Sequence, residues 1–197
     1  MVNRVWQFHF GRGIVATPSD YGIRGAASSH PELLDWLTQR FIADGWSLKK
    51  LHRIILLSGT YRQAVEANPA TALKVREQDS DNVYLSHFNR RRLEAEEVRD
   101  SVLSAGEVLN TKMFGVPVVP ELAAEELFGM SQGPGTFWPV TTNKTEHSRR
   151  SIYMLARRTY RMPMMEVFDQ PEGVLSCSRR DNSTTATQSL SLLNSRF

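Results

Sequence analysis

The sequence lacks most of the features that would assign it to a specialised class of protein. It has one cysteine, Cys177, among 197 residues, which excludes an internal disulfide and a zinc or iron–sulfur site built from cysteines. Its longest aliphatic run, residues 54–57, is far shorter than the ~20 apolar residues of a membrane-spanning helix. No basic segment followed by a long apolar stretch opens the chain, so no signal peptide is predicted in this sequence. We expect no membrane insertion and no cofactor held by this chain.

Motifs of common enzymes are also missing. There is no Gly-x-Ser-x-Gly elbow, no Walker loop and no His-Glu-x-x-His sequence. The five histidines are scattered, and none follows another at the spacing of a helical metal site, so no metal site is predicted. Residues 11–16 fit a dinucleotide-binding fingerprint by letter, but turn residues follow them instead of a helix, which favours a plain glycine turn.

Charge and composition are those of an ordinary globular chain. The sequence has 24 Lys+Arg against 21 Asp+Glu, a net charge of +3, with 41% hydrophobic residues. This length and composition predict one domain over residues 1–197. Because the net charge is small and the acids are interspersed, a nucleic-acid partner is not favoured. Most of the basic residues are arginines, and pairing with the acids inside the fold is the default interpretation for them.

Apolar spacing predicts a mainly α fold. Leucines and Phe41 recur at helical intervals, Gly45 is suited to end that helix, and Ser47 is suited to cap the next, which together predict an α-hairpin. A stripe within residues 92–110 predicts the strongest helix, and residues 186–193 a last one.

Other segments favour irregular structure. Glycines and prolines predict a long loop or insertion over residues 115–148, and residues 151–155 are the best strand candidate. The predicted fold is an irregular multi-helix domain with an α-hairpin, long loops and at most a short strand element.

The candidates for chemistry are few. Cys177 precedes Arg179 and Arg180, cations that would lower the pKa of a thiol close to them, but a nucleophilic cysteine also needs a base. A small buried or incidental thiol is the simpler interpretation. Asp169 and His30 are the other weak catalytic candidates, and catalysis is not the favoured function.

Ligand contacts are predicted at arginine pairs and at one tryptophan. Arginine suits flat, two-pronged contact with carboxylate or sulfate, and Arg157-Arg158 and Arg179-Arg180 are the pairs left for an acidic ligand. Trp138 lies in a Gly/Pro-rich loop and could stack on a sugar, whereas the contexts of the other three tryptophans favour core packing.

These residues favour a binding or scaffolding module whose partner is an anionic or complex polysaccharide. One alternative is an enzyme or redox accessory domain that uses Cys177 or a carboxylate pair. Another is a purely structural interdomain module.

Short motifs follow one another along nearly the whole chain in an order that is specific. They include Asn3-Arg4-Val5-Trp6-Gln7, Asp20-Tyr21-Gly22, His30-Pro31-Glu32, Gly45-Trp46-Ser47, Ser58-Gly59-Thr60-Tyr61-Arg62-Gln63, Arg90-Arg91-Arg92-Leu93-Glu94, Arg150-Ser151-Ile152-Tyr153, Phe168-Asp169, Cys177 with Arg179-Arg180, Ser183-Thr184-Thr185, Gln188 and Leu193-Asn194-Ser195. Taken together, they resemble the planctomycete PSD domain of unknown function.

The resemblance implies a setting more than an activity. Proteins with this domain are typically large and are expected to be exported or at the cell surface. They carry partner domains, often a cytochrome-c-like haem domain, and are linked to polysaccharide breakdown. The Cys-x-x-Cys-His haem motif is absent here, so haem is expected only in a partner domain, and the family offers no established catalytic residue to transfer.

The chain also departs from the family pattern. Ser189 stands where the family usually has alanine, and the family domain continues with further helices after the position of Phe197. We therefore expect this chain to be a piece of a longer family domain.

Overall fold

The computed structural model describes residues 1–66, 69–70, 72–123, 126 and 138–194, in two compact units, Met1–Arg91 and Arg92–Phe197. The described residues form α1 (Val2–Phe10), α2 (Pro31–Ala43), α3 (Leu48–Leu57), α4 (Ala72–Gln78), α5 (Ala95–Ala105), α6 (Pro163–Val167) and α7 (Ala186–Asn194). Outside these helices the described chain holds two 3-10 turns and isolated β-bridges. The mainly α fold with long loops is confirmed. One domain over residues 1–197, and its continuation beyond them, stay predictions.

The core of the first unit forms around α1. Val2, Val5, Trp6 and Phe10 are buried because they recur every three or four residues and so share one face of the helix. Gly11, at φ +78°, ends the helix by donating its N–H to the carbonyl of Gln7 at 2.7 Å. The other buried core residues are Ile14, Leu37, Phe41, Leu51 and Ile55.

α2 and α3 form the predicted α-hairpin. Gly45 adopts φ +71°, the left-handed conformation that glycine accepts most readily. Trp46 donates its N–H to the carbonyl of Phe41 at 2.9 Å, and the two rings lie edge to face with centroids 5.4 Å apart. Ser47 then caps α3 by accepting from the N–H of Lys50.

Gly13, which follows α1, makes room for the side chain of Asn3. Asn3 on α1 bonds both main-chain groups of Val15: its Nδ2 donates to the carbonyl at 3.0 Å, and its Oδ1 accepts from the N–H at 2.8 Å. A Cβ on Gly13 would lie 2.6 Å from the carbonyl oxygen of Val15. No helix opens within residues 11–16, so the segment has the geometry of a plain turn.

The second unit is organised around α5. The helix begins with a capping box, in which Glu97 accepts from the N–H of Glu94 at 2.9 Å. It spans Ala95–Ala105 and is thus shorter at both ends than the predicted range. Its apolar face packs on α6. The buried residues of this contact are Ala95 from α5, Met164 and Met165 from α6, and Phe168 directly after α6.

Two arginines are almost fully buried in this unit. Arg99 on α5 is 1% exposed, and its guanidinium donates to the carbonyls of His147 at 2.6 Å and Arg149 at 2.9 Å and to Ser151 Oγ at 3.2 Å. Burial lowers the pKa of Arg99 to about 10, although nearby Asp100 opposes this shift. The group thus remains a cation at neutral pH.

Arg149 is 2% exposed and holds a second set of carbonyls. Its Nη2 donates to Lys112 at 3.2 Å and also to Phe114, and its Nη1 lies 3.2 Å from a carboxylate oxygen of Glu146. The guanidinium also stacks over the ring of Tyr153, 4.1 Å from its centroid. Each arginine therefore ties together loop segments that share no regular secondary structure.

The strand prediction for residues 151–155 is wrong. Ser151–Tyr153 is a 3-10 turn, in which Ser151 donates both its N–H and its hydroxyl to Asp100 at 2.7 Å. Met154 alone forms an isolated bridge with Val118. The bond to Asp100 satisfies the N–H of Ser151, which a neighbouring strand would otherwise pair, and Val118 pairs with the carbonyl of Tyr153 and the N–H of Leu155.

The predicted loop over residues 115–148 is described except for residues 124–125 and 127–137. Val118 and Val119 in its first part are buried, and Val119 accepts from the N–H of Thr141 at 2.9 Å. The 3-10 turn Lys144–Glu146 lies in its last part. The described parts are thus irregular but packed.

Replacing Gly13 by alanine should destabilise the chain by about 2 kcal/mol, because the new methyl group would overlap the carbonyl of Val15 and the amide of Asn3. Gly59→Ala is the matched control, since its Cβ would meet no heavy atom within 4 Å, and it should change stability by at most about 0.5 kcal/mol. Urea denaturation measures both, and equal losses would contradict the close approach at Gly13.

Replacing Arg99 by lysine should destabilise the second unit by about 3 kcal/mol or more, because one ammonium cannot reach the three acceptors of the guanidinium. Arg150→Lys keeps the same chemistry at a side chain that is 55% exposed and should cost at most about 0.5 kcal/mol. Denaturation followed by circular dichroism compares the two variants. Similar denaturation midpoints for the two variants would contradict a stabilising role for the buried guanidinium of Arg99.

Candidate functional site

Segments of the first unit bring aromatic and basic side chains together near the end of α1. Trp6 and Phe10 point into the core, which leaves Phe8 exposed and His9 half-buried at the edge of the helix. Arg4, one turn before Phe8, places its guanidinium 5.7 Å from the centre of that ring.

A histidine pair joins α1 to α3. Because Leu51 and Ile55 are the buried positions of α3, His52 lies beside the core and meets His9, with Nε2 of His9 2.8 Å from Nδ1 of His52. The ring of Tyr61, which follows α3, stands edge-on to His9 with centroids 5.6 Å apart. At 2.8 Å, one of the two facing nitrogens of His9 and His52 donates a hydrogen bond and the other accepts it.

The loop that completes the site is held by Asn82. This buried side chain donates to the carbonyl of His87 at 2.7 Å and to the side chain of Asn89 at 3.0 Å, and it accepts from Ser86. Phe88 donates its N–H to the carbonyl of Ala64 at 2.9 Å. These bonds fix residues 87–89, which directly precede Arg90 and Arg91, beside the segment that carries Tyr61.

These segments enclose an open cavity of about 470 Å³, which we call the histidine–arginine pocket. Its described lining consists of Phe8, His9, Tyr61, Val65, Phe88, Asn89, Arg90 and Arg91. None of these residues is Asp or Glu. The pocket thus combines aromatic surfaces with two arginines and has no carboxylate in its described lining.

The electrostatics of the pocket are positive. Burial, His52 and Arg91, in that order, lower the pKa of His9 below its usual 6.5. His9 thus resists protonation, because it is partly buried and the groups beside it are basic. An anion in the pocket would relieve that resistance.

The second unit contains a groove of similar volume, about 460 Å³, in which charges are already balanced. Arg180 lies 3.0 Å from Glu94 and 2.6 Å from Glu96, and Arg150 lies 3.7 Å from Asp100. Burial alone would raise the pKa of Glu96, but its hydrogen bond with Arg180 holds the pKa below its usual value. These arginines are already engaged inside the unit.

The prediction of a surface tryptophan at position 138 is wrong. Trp138 is 2% exposed, its Nε1 donates to the carbonyl of Pro120 at 2.7 Å, and its ring packs edge to face on Tyr160. A ring buried with its N–H paired cannot stack on a sugar. Trp36 and Trp46, which were predicted to pack in the core, are more than half exposed.

The four predicted ligand arginines do not form one surface. Arg157 and Arg180 line the charge-balanced groove, and Arg179 and Arg180 line a second, more open groove of about 580 Å³. Arg158 is exposed and belongs to neither described lining. Their role in ligand binding stays a prediction.

Cys177 and Asp169 line that more open groove, whose described lining includes no histidine. The thiol of Cys177 donates to the carbonyl of Arg179 at 3.0 Å. Asp169 accepts from the N–H and hydroxyl of Ser183, and these bonds, with the charge of Arg92, lower its pKa. Asp169 therefore has a structural partner, and the described lining around Cys177 offers carboxylates but no histidine as a base.

His30 lies in the first unit, where it starts α2. Its Nδ1 bonds the hydroxyl of Ser29 at 2.9 Å, and its ring stands edge-on to Tyr84. It is not part of the histidine–arginine pocket, whereas His9 is. Sequence reasoning missed the pairing of His9 with His52, although Tyr61 and Arg90-Arg91 lie in motifs that carry the family resemblance.

Two further kinds of site are absent from the described residues. No helix among them has the length and apolar character needed to cross a bilayer. No group of three or more His, Cys, Asp or Glu side chains among them is arranged to hold a metal ion.

Comparison with known proteins yields a family and no closer relative. The chain matches no curated protein and no solved structure. Residues 1–197 match PSD1, described as a protein of unknown function (DUF1553). Since this match covers the whole sequence, the chain belongs to the PSD1 family of proteins of unknown function.

Proposed function

We propose that this chain is a non-catalytic binding module for an anionic polysaccharide and that the histidine–arginine pocket is its binding site. The observation that carries the proposal is the pocket's composition, two arginines and several aromatic rings with no carboxylate in the described lining. The setting we propose follows the family resemblance: a larger exported protein linked to polysaccharide breakdown, in which any haem belongs to another domain.

The charge of the pocket supports an anionic ligand. Arg90 is exposed, and no ion pair joins it to a described carboxylate. The planar guanidinium matches the two oxygens that a carboxylate or a sulfate ester presents. In contrast to Arg90, Arg180 would have to leave Glu94 and Glu96, and Arg150 would have to leave Asp100, before either could bind an anion.

The rings support a sugar as the carrier of that charge. Phe8 is 53% exposed, and Tyr61 and Phe88 line the same cavity with ring centroids 5.2 Å apart. The C–H face of a sugar ring is apolar and packs on an aromatic surface, while its acidic group reaches outward. An open pocket of about 470 Å³ suits one or two sugar units of a longer chain.

A nucleic acid is the competing anionic polymer. Its phosphates follow one another closely, so proteins that bind it present an extended basic stripe or groove. Here the net charge is only +3, and the pocket offers a compact cluster. The sugar polymer is therefore the ligand we choose.

Affinity electrophoresis in κ-carrageenan, a sulfated galactan, tests the proposal with agarose as the uncharged galactan control. Retention is expected in κ-carrageenan at low salt. The double variant Arg90→Ala with Arg91→Ala should weaken it about tenfold or more, because each lost charge-assisted hydrogen bond is worth about 1.5–3 kcal/mol. Phe8→Ala should weaken it about threefold through the lost ring contact.

Two controls separate the site from general charge. Arg24→Ala with Arg53→Ala removes the same charge from exposed positions of the first unit outside the pocket lining and should change retention less than about twofold. Poly(vinyl sulfate) carries the charge without the sugar ring, so retention by this polymer should not depend on Phe8. Equal loss in both arginine doubles, equal retention by single-stranded DNA, or no retention at low salt would overturn the proposal; the last result would favour a purely structural module.

A further inference from the structure

The hydrogen-bonded histidines give the pocket a group that accepts one proton and only one. In the neutral pair, a single N–H lies between Nε2 of His9 and Nδ1 of His52, which are 2.8 Å apart. After one proton is added, an imidazolium on one side still donates to a neutral ring on the other. A second proton would put N–H groups on both facing nitrogens, which the 2.8 Å distance does not permit.

In the free protein this proton is disfavoured at neutral pH. The groups that face His9 are His52 from α3, the phenol of Tyr61 and the cations Arg90 and Arg91 of the neighbouring segment. The described pocket lining adds no carboxylate to them. Burial, His52 and Arg91 accordingly keep the pKa of His9 below 6.5.

A bound anion reverses this balance. It would sit against Arg90 and Arg91, in the cavity that His9 also lines, and its negative charge would favour a positive imidazole nearby. The proton comes from solvent and no covalent bond changes. We propose that the His9–His52 pair is the proton-uptake element of the pocket, so that an anionic sugar is held more tightly at acid pH and released as the pH rises. This inference rests on the proposed function.

The direction of the effect follows from linkage. If the liganded state binds more protons than the free state, affinity increases as the pH falls, by at most about tenfold per pH unit for one proton. The increase is confined to the interval between the pKa of His9 in the free protein, which is below 6.5, and its higher pKa in the complex. Outside that interval the affinity is independent of pH.

Calorimetric titration of the whole chain with a κ-carrageenan oligosaccharide tests the inference, because a sulfate ester stays ionised throughout the range. Binding at pH about 5.5 should be about three- to thirtyfold tighter than at pH about 7.5. Repeating the titration in buffers with different ionisation enthalpies should show proton uptake that approaches one per site. Nuclear magnetic resonance of the imidazole protons, which needs no variant, should show a higher His9 midpoint in the complex.

His9→Gln should lose the increase at acid pH, so that its affinities at pH about 5.5 and about 7.5 agree within about twofold. His30→Gln is the matched control, a half-buried histidine of the same unit outside the pocket, and it should keep the increase. Binding that is equal at both pH values without proton uptake would overturn the inference and leave the proposed function intact. No binding at any pH would overturn both, and loss of the pH dependence in His30→Gln alone would place the proton elsewhere and overturn the inference.

Discussion

The second unit depends on two guanidinium groups that have left water. Arg99 and Arg149 are almost fully buried, and most of their hydrogen bonds go to main-chain carbonyls of segments without regular structure. A buried cation is costly unless its donors are satisfied, so each arginine constrains the path of every segment it contacts. With only a few buried apolar residues between α5 and α6, this polar framework gives the loops their conformation.

In the first unit, buried amide side chains hold the segments that have no regular structure. Asn3 pairs with both main-chain groups of Val15, and Asn82 holds the loop that carries Phe88 into the pocket. Each amide supplies a donor and an acceptor, which is what a neighbouring strand would offer. In both units, buried polar side chains therefore take the place of β-pairing in a mainly α chain. The loop held by Asn82 contributes Phe88 and Asn89 to the histidine–arginine pocket.

Local patterns predicted the α-hairpin, α5 and α7, but they predicted neither α1 nor the site. The α-hairpin and α5 follow from apolar spacing and capping residues, which are properties of neighbouring positions. The His9–His52 contact joins positions 43 residues apart, and no local pattern encodes it. The error at Trp138 has a different cause: glycine and proline neighbours describe the backbone of a loop, not the direction of a side chain within it. Arg99 was expected to pair with acids, but its principal acceptors are carbonyls, which every residue has.

The burial of Trp138 also gives the second unit its own spectroscopic reporter. The other three tryptophans of the sequence, Trp6, Trp36 and Trp46, precede residue 92, so any indole emission that arises from Arg92–Phe197 comes from this ring alone. An indole held away from water emits at shorter wavelength than one in solvent, and Trp138 is packed on Tyr160 with its N–H bonded to Pro120. In a chain whose first three tryptophans are replaced by phenylalanine, fluorescence would follow the unfolding of the second unit separately from that of the first.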